Sequence, residues 1–239
     1  VDSWGFWDSL HATIQGITST FRIPLVVSGK SLCAPVPSYP TLLGFLGCCA
    51  GREVYPDEVR IGFEYRFGED VSGGGLGVDM ETTHRFELKN NRLRPHPKGT
   101  SIRSYEFHVY PVLELYLDNM EFFDILTRPA GIPTFGRSQD LAWIEKVEMV
   151  DVIWKPSGKV GTTLMPFPQE DVGGRMLRLP EFFDNTETGM TRNPVNIRLF
   201  QVVSAGSIVE NPNLFHLNTD EDENHVIYLH EWTGIDGKE

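Results

Sequence analysis

Six cations crowd one short stretch of this sequence, Arg85, Lys89, Arg92, Arg94, Lys98 and Arg103, and Glu87 is the one acid among them. Lys and Arg at this density can neutralise phosphates and release the counterions condensed on a nucleic-acid strand. The same composition also suits a solvated hairpin with its charges facing water. A second basic element follows at Ala130 to Arg137 (AGIPTFGR), where Gly and Pro stiffen the backbone. There Gly136, Arg137 and Ser138 could offer amides and a guanidinium to a phosphate or a base edge, or could simply form a structural turn.

Proton-transfer chemistry would have to come from His84, His96, His108 or Tyr105, since imidazole shuttles protons near neutral pH and a nearby cation steadies a pentavalent phosphate. These residues follow no fixed catalytic spacing, and His108 sits on the polar face of an alternating strand, so no catalytic residue is assigned. No His, Cys, Asp or Glu set has metal-ligand spacing, and no cofactor is implied. The run GGGLG at Gly73 to Gly77 lacks both the spacing and the following Lys-Ser/Thr of a phosphate loop. Cys33 stands alone and Cys48 and Cys49 are neighbours, which gives neither a disulfide framework nor a zinc set; all three read as small core residues.

The formal net charge of −12 excludes a protein that coats nucleic acid over its whole surface, so any RNA site must be local. Acids gather elsewhere, notably at Asp220, Glu221, Asp222 and Glu223. A hydrophobic content of 40% is ample for a core. The longest apolar run, Leu42 to Ala50, falls short of the roughly 20 residues a bilayer demands. Val1 to Asp8 has no basic start and no apolar signal core, so the expectation is a soluble, cytoplasmic chain without a membrane partner.

The elements that must position these residues are partly visible. Leu10 to Ile17 alternates as a buried strand does. Ser38 to Gly51 carries helix signals, with Ser38 as cap, Pro40 in the first turn and Gly51 as stop. Gly44 and Gly47 weaken that helix, which points to close approach of a neighbouring strand or an RNA backbone. Val59 to Phe67 alternates strongly and runs into a glycine tip at Gly68 to Gly77, from which the chain returns through Thr82 to Lys89 as a two-stranded arm. Between Arg103 and Leu117 a strand pattern breaks at Pro111. Asn119 to Leu126 reads as a short helix, and Leu141 to Trp154 as a strand with a bulge near Met149 and Val150. This order predicts an α+β architecture, with a ferredoxin-like N-terminal domain over residues 1–155 and an inserted hairpin thumb at about 60–105. Short strand candidates at Arg175 to Leu179, Val195 to Val203 and Val226 to Leu229 predict a small β-rich C-terminal extension over 156–239.

Phe21 to Arg52, FRIPLVVSGKSLCAPVPSYPTLLGFLGCCAGR, resembles the N-terminal signature of CRISPR-associated protein family 5, in which an exposed Phe-Arg precedes a proline-rich approach to a helix. Ile132 to Ile144 (IPTFGRSQDLAWI) is similar to that family's loop before the last strand of its first domain, and GRMLRLPEFF, Gly174 to Phe183, resembles members from type I-B systems. The resemblance implies an RRM-like domain with a thumb, in a subunit of a type I Cascade complex. Such a subunit holds the 5′ handle of the crRNA without cutting it, caps the backbone filament and contacts the large subunit. Target DNA near the protospacer-adjacent motif is a further contact. It places Arg22, and beside Gly29 also Lys30, on handle phosphates, with Arg85, Lys89, Arg92, Arg94 and Lys98 on the thumb and Gly136, Arg137 and Ser138 in the basic loop. Phe21 and Tyr39 are candidates for base stacking, with core packing the alternative for Phe21. Some relatives cleave repeat RNA without metal, so a metal-independent endoribonuclease is the alternative activity.

Overall fold

The computed structural model describes residues 7–23, 29–69, 71–185 and 192–233. Numbering strands of four residues or more, the chain begins β1 (Trp7–Gly16), α1 (Tyr39–Ala50), β2 (Ile61–Arg66), β3 (Leu76–Lys89), β4 (Arg92–Val109) and β5 (Val112–Leu117). It continues α2 (Phe122–Thr127), β6 (Ala142–Trp154), β7 (Thr163–Pro166), β8 (Gly174–Leu179), β9 (Arg198–Val203), β10 (Leu214–Leu217) and β11 (Ile227–His230). Six strands close into a barrel in the order β1-β5-β2-β11-β10-β6, every pairing antiparallel. A separate three-stranded sheet runs β7-β9-β8.

This closed, mostly β architecture overturns the expected α+β, ferredoxin-like domain with its C-terminal extension. β10 and β11 come from the stretch assigned to the extension, yet they are staves lying between β2 and β6. Alternation identifies a strand and its buried face, but it carries nothing about which distant strand completes the hydrogen bonding.

The barrel's two pleat faces do different jobs. Leu10, Ala12 and Ile14 of β1 point outward with Ile61, Phe63, Leu113 and Leu115, all 0% exposed, and pack under Leu42, Phe45 and Leu46 of α1 and Phe122 and Leu126 of α2. Burying each of the Leu, Ile and Phe side chains contributes about 1.5–3 kcal/mol. The opposite pleat fills the interior with Tyr116, Val150, Val152, Phe215, Ile227 and Leu229. Farther along that same pleat the filling turns polar. Glu114 accepts hydrogen bonds from His11 Nε2 at 3.0 Å, Thr13 Oγ1 at 2.8 Å and Arg66 Nη1 at 2.9 Å. His225, on the loop between β10 and β11, is clasped between Glu64, at 2.7 Å, and Asp220.

α1 forms as its ends dictate. Ser38 is extended at the N-cap, Pro40 lies in the first turn and Gly51 ends the helix with φ 67°. The Ser38 hydroxyl meets Thr41 Oγ1 at 2.9 Å and not a free amide. The two-stranded arm exists with different limbs from those expected: β2 pairs with β5 and β11, and the arm is β3 against β4. Its tip is Asn90–Asn91, both left-handed at φ 52° and 57°, the backbone that a two-residue hairpin requires. The glycine run lies at the root, where a Cβ on Gly75 would stand 2.4 Å from the Gly68 Cα, so side chains are barred as the two backbones cross. The bulge in β6 falls at Glu145, between the pairs Thr13–Lys146 and Ile14–Ile144, and not at Met149–Val150. Among the described residues no helix is long and apolar enough to cross a membrane.

The polar end of the barrel sets a pH window. Hydrogen bonding to Glu64, against opposing burial, lifts His225 to about 9, so its contribution is complete below pH 6.5 and disappears as pH rises through 9. Burial would raise Glu114, but its bonds from His11, Thr13 and Arg66 outweigh this and hold it at about 2, so its contribution is complete above pH 4.5 and disappears as pH falls toward 2. The urea midpoint should therefore be highest between pH 4.5 and 6.5, and His225→Gln should flatten the decline from 6.5 to 9; equal declines in both proteins would contradict this.

Candidate nucleic-acid interface

The basic loop before β6 is tied to the chain leaving β1. Thr20 N donates to Phe135 O at 2.8 Å, and Ala142 N closes the loop on Pro133 O at 3.0 Å. Asp140, 0% exposed, accepts from Thr18 Oγ1 at 2.7 Å, from Arg137 backbone N at 3.1 Å and from Arg137 Nε at 3.2 Å. Gly136 permits this contact: its φ is 116°, and a Cβ would stand 2.0 Å from Thr20 O. Phe135 is buried between Phe21 and Phe45, with ring centroids at 6.1 and 6.0 Å. Residues more than a hundred positions apart are thus fixed side by side, and Arg22 and Arg137 come to one depression.

That depression has a volume of about 630 Å³. α1 supplies Pro40, Thr41, Gly44 and Cys48, the basic loop supplies Thr134, Gly136 and Arg137, and Arg22 lines it from the other side. Leu179, Pro180, Phe183 and Arg192 complete the lining, in which there are three arginines and no carboxylate. A second hollow of about 220 Å³ adjoins it across Pro40, Gly44, Phe183 and Arg192, and adds Arg52. Arg52 is already engaged, with Nη2 2.7 Å from Glu58. Gly44 lies on the exposed floor, and nothing within 4 Å would meet a Cβ there. Gly47 differs: its Cβ would press on Arg52 O at 3.0 Å, which is a packing constraint. Of the two helix glycines, only Gly44 leaves room for something outside the chain.

Arg137 is a positioned cation. Its guanidinium lies 5.8 Å over the Tyr105 ring, and Nη1 is buried without a hydrogen bond, 3.7 Å from Glu81 of the arm. Among the described residues no carboxylate pairs with Arg22, which is exposed. Through Glu81 and Tyr105 the root of the arm abuts the groove. Strand register puts Lys89 opposite Arg92 and Glu87 opposite Arg94, so these four share one face, while Arg85 lies at the register shift between His84 and Phe86. Lys98 lies in the irregular excursion of β4 between Pro95 and Thr100. Lys30 is at the root, paired with Ser104. Ser138 is exposed and does not line the groove. The expected site residues therefore separate into a groove group, Arg22, Gly136 and Arg137, and an arm group.

Both stacking candidates are core residues. Phe21 is 3% exposed, and Tyr39, 1% exposed, stacks on His230 with centroids 3.9 Å apart. Phe183 and Arg192 are the groove residues sequence reasoning missed. Phe183 lay within a quoted segment, GRMLRLPEFF, whereas Arg192 has no local signal, since only the tertiary fold carries it to α1. The acid–base candidates are dispersed. His84 is exposed and His96 half-buried on the arm, while His108 is 2% exposed, stacked on Phe67 at 3.6 Å, and burial lowers it to about 4, so it is neutral.

The sequence matches no protein-family model and no curated protein. Solved structures do resemble the fold. A chain described as "CRISPR RNA-guided surveillance complex" superposes with a TM-score of 0.50 at 17% identity, covering 85% of this chain and 91% of that one. A chain of a type III-B Cmr-beta complex bound to cognate target RNA and AMPPnP gives 0.46 at 15% identity, covering 85% and 86%. A CRISPR protein from Archaeoglobus fulgidus gives 0.46 at 12%, covering 94% and 100%. The likeness is one of fold.

Two glycines bordering the groove should respond oppositely to alanine. Gly44→Ala, in open space on a helix, should raise stability by about 1 kcal/mol. Gly136→Ala, strained and blocked by Thr20, should cost about 2 kcal/mol or more. Urea unfolding of both variants checks this, and equal effects would refute the assignment of open and closed faces.

Proposed function

We propose that this chain is a non-catalytic RNA-binding subunit of a CRISPR effector complex, and that its groove clasps a short single-stranded end of the guide RNA, the 5′ handle. The observation that carries the reading is the acid-free groove holding Arg22, Arg137 and Arg192 over the open flank of Gly44, on a chain whose net charge is −12. A bent RNA strand needs cations for its phosphates and a floor without side chains where its backbone comes close. Arg22 and Arg192 would meet phosphates, Phe183 would receive a base, and Arg137, oriented by Asp140, would add positive charge beside the strand. The basic face of the arm continues this path outward. The fold shared with a chain of an RNA-guided surveillance complex agrees with that role. Within such a complex, the family resemblance points to the type I-B branch, with the backbone and large subunits as neighbours.

Binding without cleavage is favoured over the endoribonuclease reading because the four acid–base candidates do not converge on the groove. His84 and His96 lie out on the arm, away from the groove lining, and His108 and Tyr105 are buried at 2% and 8% exposure.

A titration of repeat-derived RNA in EDTA tests the reading. Native chain should bind the RNA and leave it intact. Arg22→Glu with Arg192→Glu should weaken binding at least tenfold and flatten the log affinity–log salt slope by about 1.4, roughly 0.7 for each lost phosphate contact. Gly44→Ala should weaken binding although the chain is no less stable. Unchanged affinity and slope in the double variant would refute the groove, and cleavage in EDTA would restore the nuclease reading.

A further inference from the structure

β6 offers more edge than the barrel uses. It pairs with β1 from Ala142 to Val152 along one side, whereas β10 covers its other side only from Val152 to Trp154. The bulge at Glu145 interrupts the uncovered edge at one end, and Asn218 N, donating to Asp151 O at 3.0 Å, closes it at the other. Between them, residues 146–150 have no strand on that side among the described residues. Five residues span about 17 Å, close to the common strand length. Open edges of this kind are usually blunted by charge or distortion along their length; here the distortion stands only at the end, and the edge's two charges, Lys146 and Glu148, pair with each other.

A hollow of about 560 Å³ lies along this edge, lined by Asp8, Lys146, Glu148, Met149, Asp151 and Thr219, with Val150 behind. Met149 is 65% exposed beside it. Lys146 is neutralised within the chain, its Nζ 2.7 Å from Glu148, which leaves Asp8 and Asp151 as the charges offered to an occupant. The acidic run Asp220 to Glu223 begins one residue after Thr219. A second copy of the chain would bring the same acids against these.

We infer that the 146–150 edge receives an extended strand from a protein partner, added by backbone hydrogen bonding, and that this strand carries Lys or Arg toward Asp8 and Asp151 and an apolar residue over Met149. The inference rests on the proposed place of the chain in an RNA–protein assembly, but it uses a surface distinct from the RNA groove.

Amide hydrogen exchange on the free chain and on the purified assembly tests it. In the free chain the amides of 146–150 turned away from β1 should exchange fast, and in the assembly they should slow by a hundredfold or more. Asp8→Lys with Asp151→Lys should abolish that slowing while RNA binding stays intact. A photoreactive side chain at position 149 should capture a Lys- or Arg-bearing segment of another subunit. Fast exchange at 146–150 in an assembly shown by mass to contain the chain overturns the inference and leaves the RNA reading standing. Capture of RNA or of a second copy at position 149 also overturns it. Failure of the chain to enter any RNA–protein assembly overturns both.

Discussion

The groove depends on one buried carboxylate. Asp140 has no exposed surface and accepts hydrogen bonds from a threonine hydroxyl leaving β1 and from both the backbone and the guanidinium of Arg137. A buried charge without partners is unstable, and removing one partner of such a set typically costs about 3–5 kcal/mol. The requirement that this carboxylate be satisfied therefore locks the basic loop against the Thr18–Arg22 segment. Arg137 is held there as a cation by Nε and Nη2 bonds to Asp140, with Nη1 buried, so it orients the groove, while the exposed Arg22 and Arg192 retain more freedom to meet an anion.

The rest of the molecule serves that arrangement. The barrel's outer pleat seats α1, so the open flank of Gly44 faces the loop, and the barrel's inner pleat supplies rigidity through an apolar plug at one end and ion-paired histidines at the other. The arm leaves the same region and carries Lys89, Arg92 and Arg94 on one face. An acidic molecule concentrates its positive charge at two connected stations. Under the proposed function, this would confine nucleic-acid contact to a path and discourage binding elsewhere.

What could be read from the chain beforehand was local. Pro40 and Gly51 mark the ends of α1 because helix termini are decided within a few residues, although the Ser38 hydroxyl caps no amide, and Pro111 broke β4 from β5 for the same local reason. The basic loop was visible because Gly136 and Arg137 are adjacent in sequence. The closed barrel was not, since the staves β10 and β11 lie about 150 residues from β2 and their short alternation names no partner. The arm's limbs were misassigned because a glycine run fits a hairpin tip and a backbone crossing equally well, while Asn90–Asn91, the true turn, carries a weaker signal. Arg192 and Phe183 escaped because long-range folding alone brings them to the helix.

The central claim is that RNA lies across the Gly44 flank between Arg22 and Arg192. Site-resolved ultraviolet cross-linking of the assembled complex, with peptides sequenced by mass spectrometry, tests it most directly. The account predicts cross-links concentrated in 38–48, 134–137, 179–183 and Arg192, with a nucleotide joined to Phe183. Cross-links confined to other subunits, or to the barrel face away from α1, would contradict it.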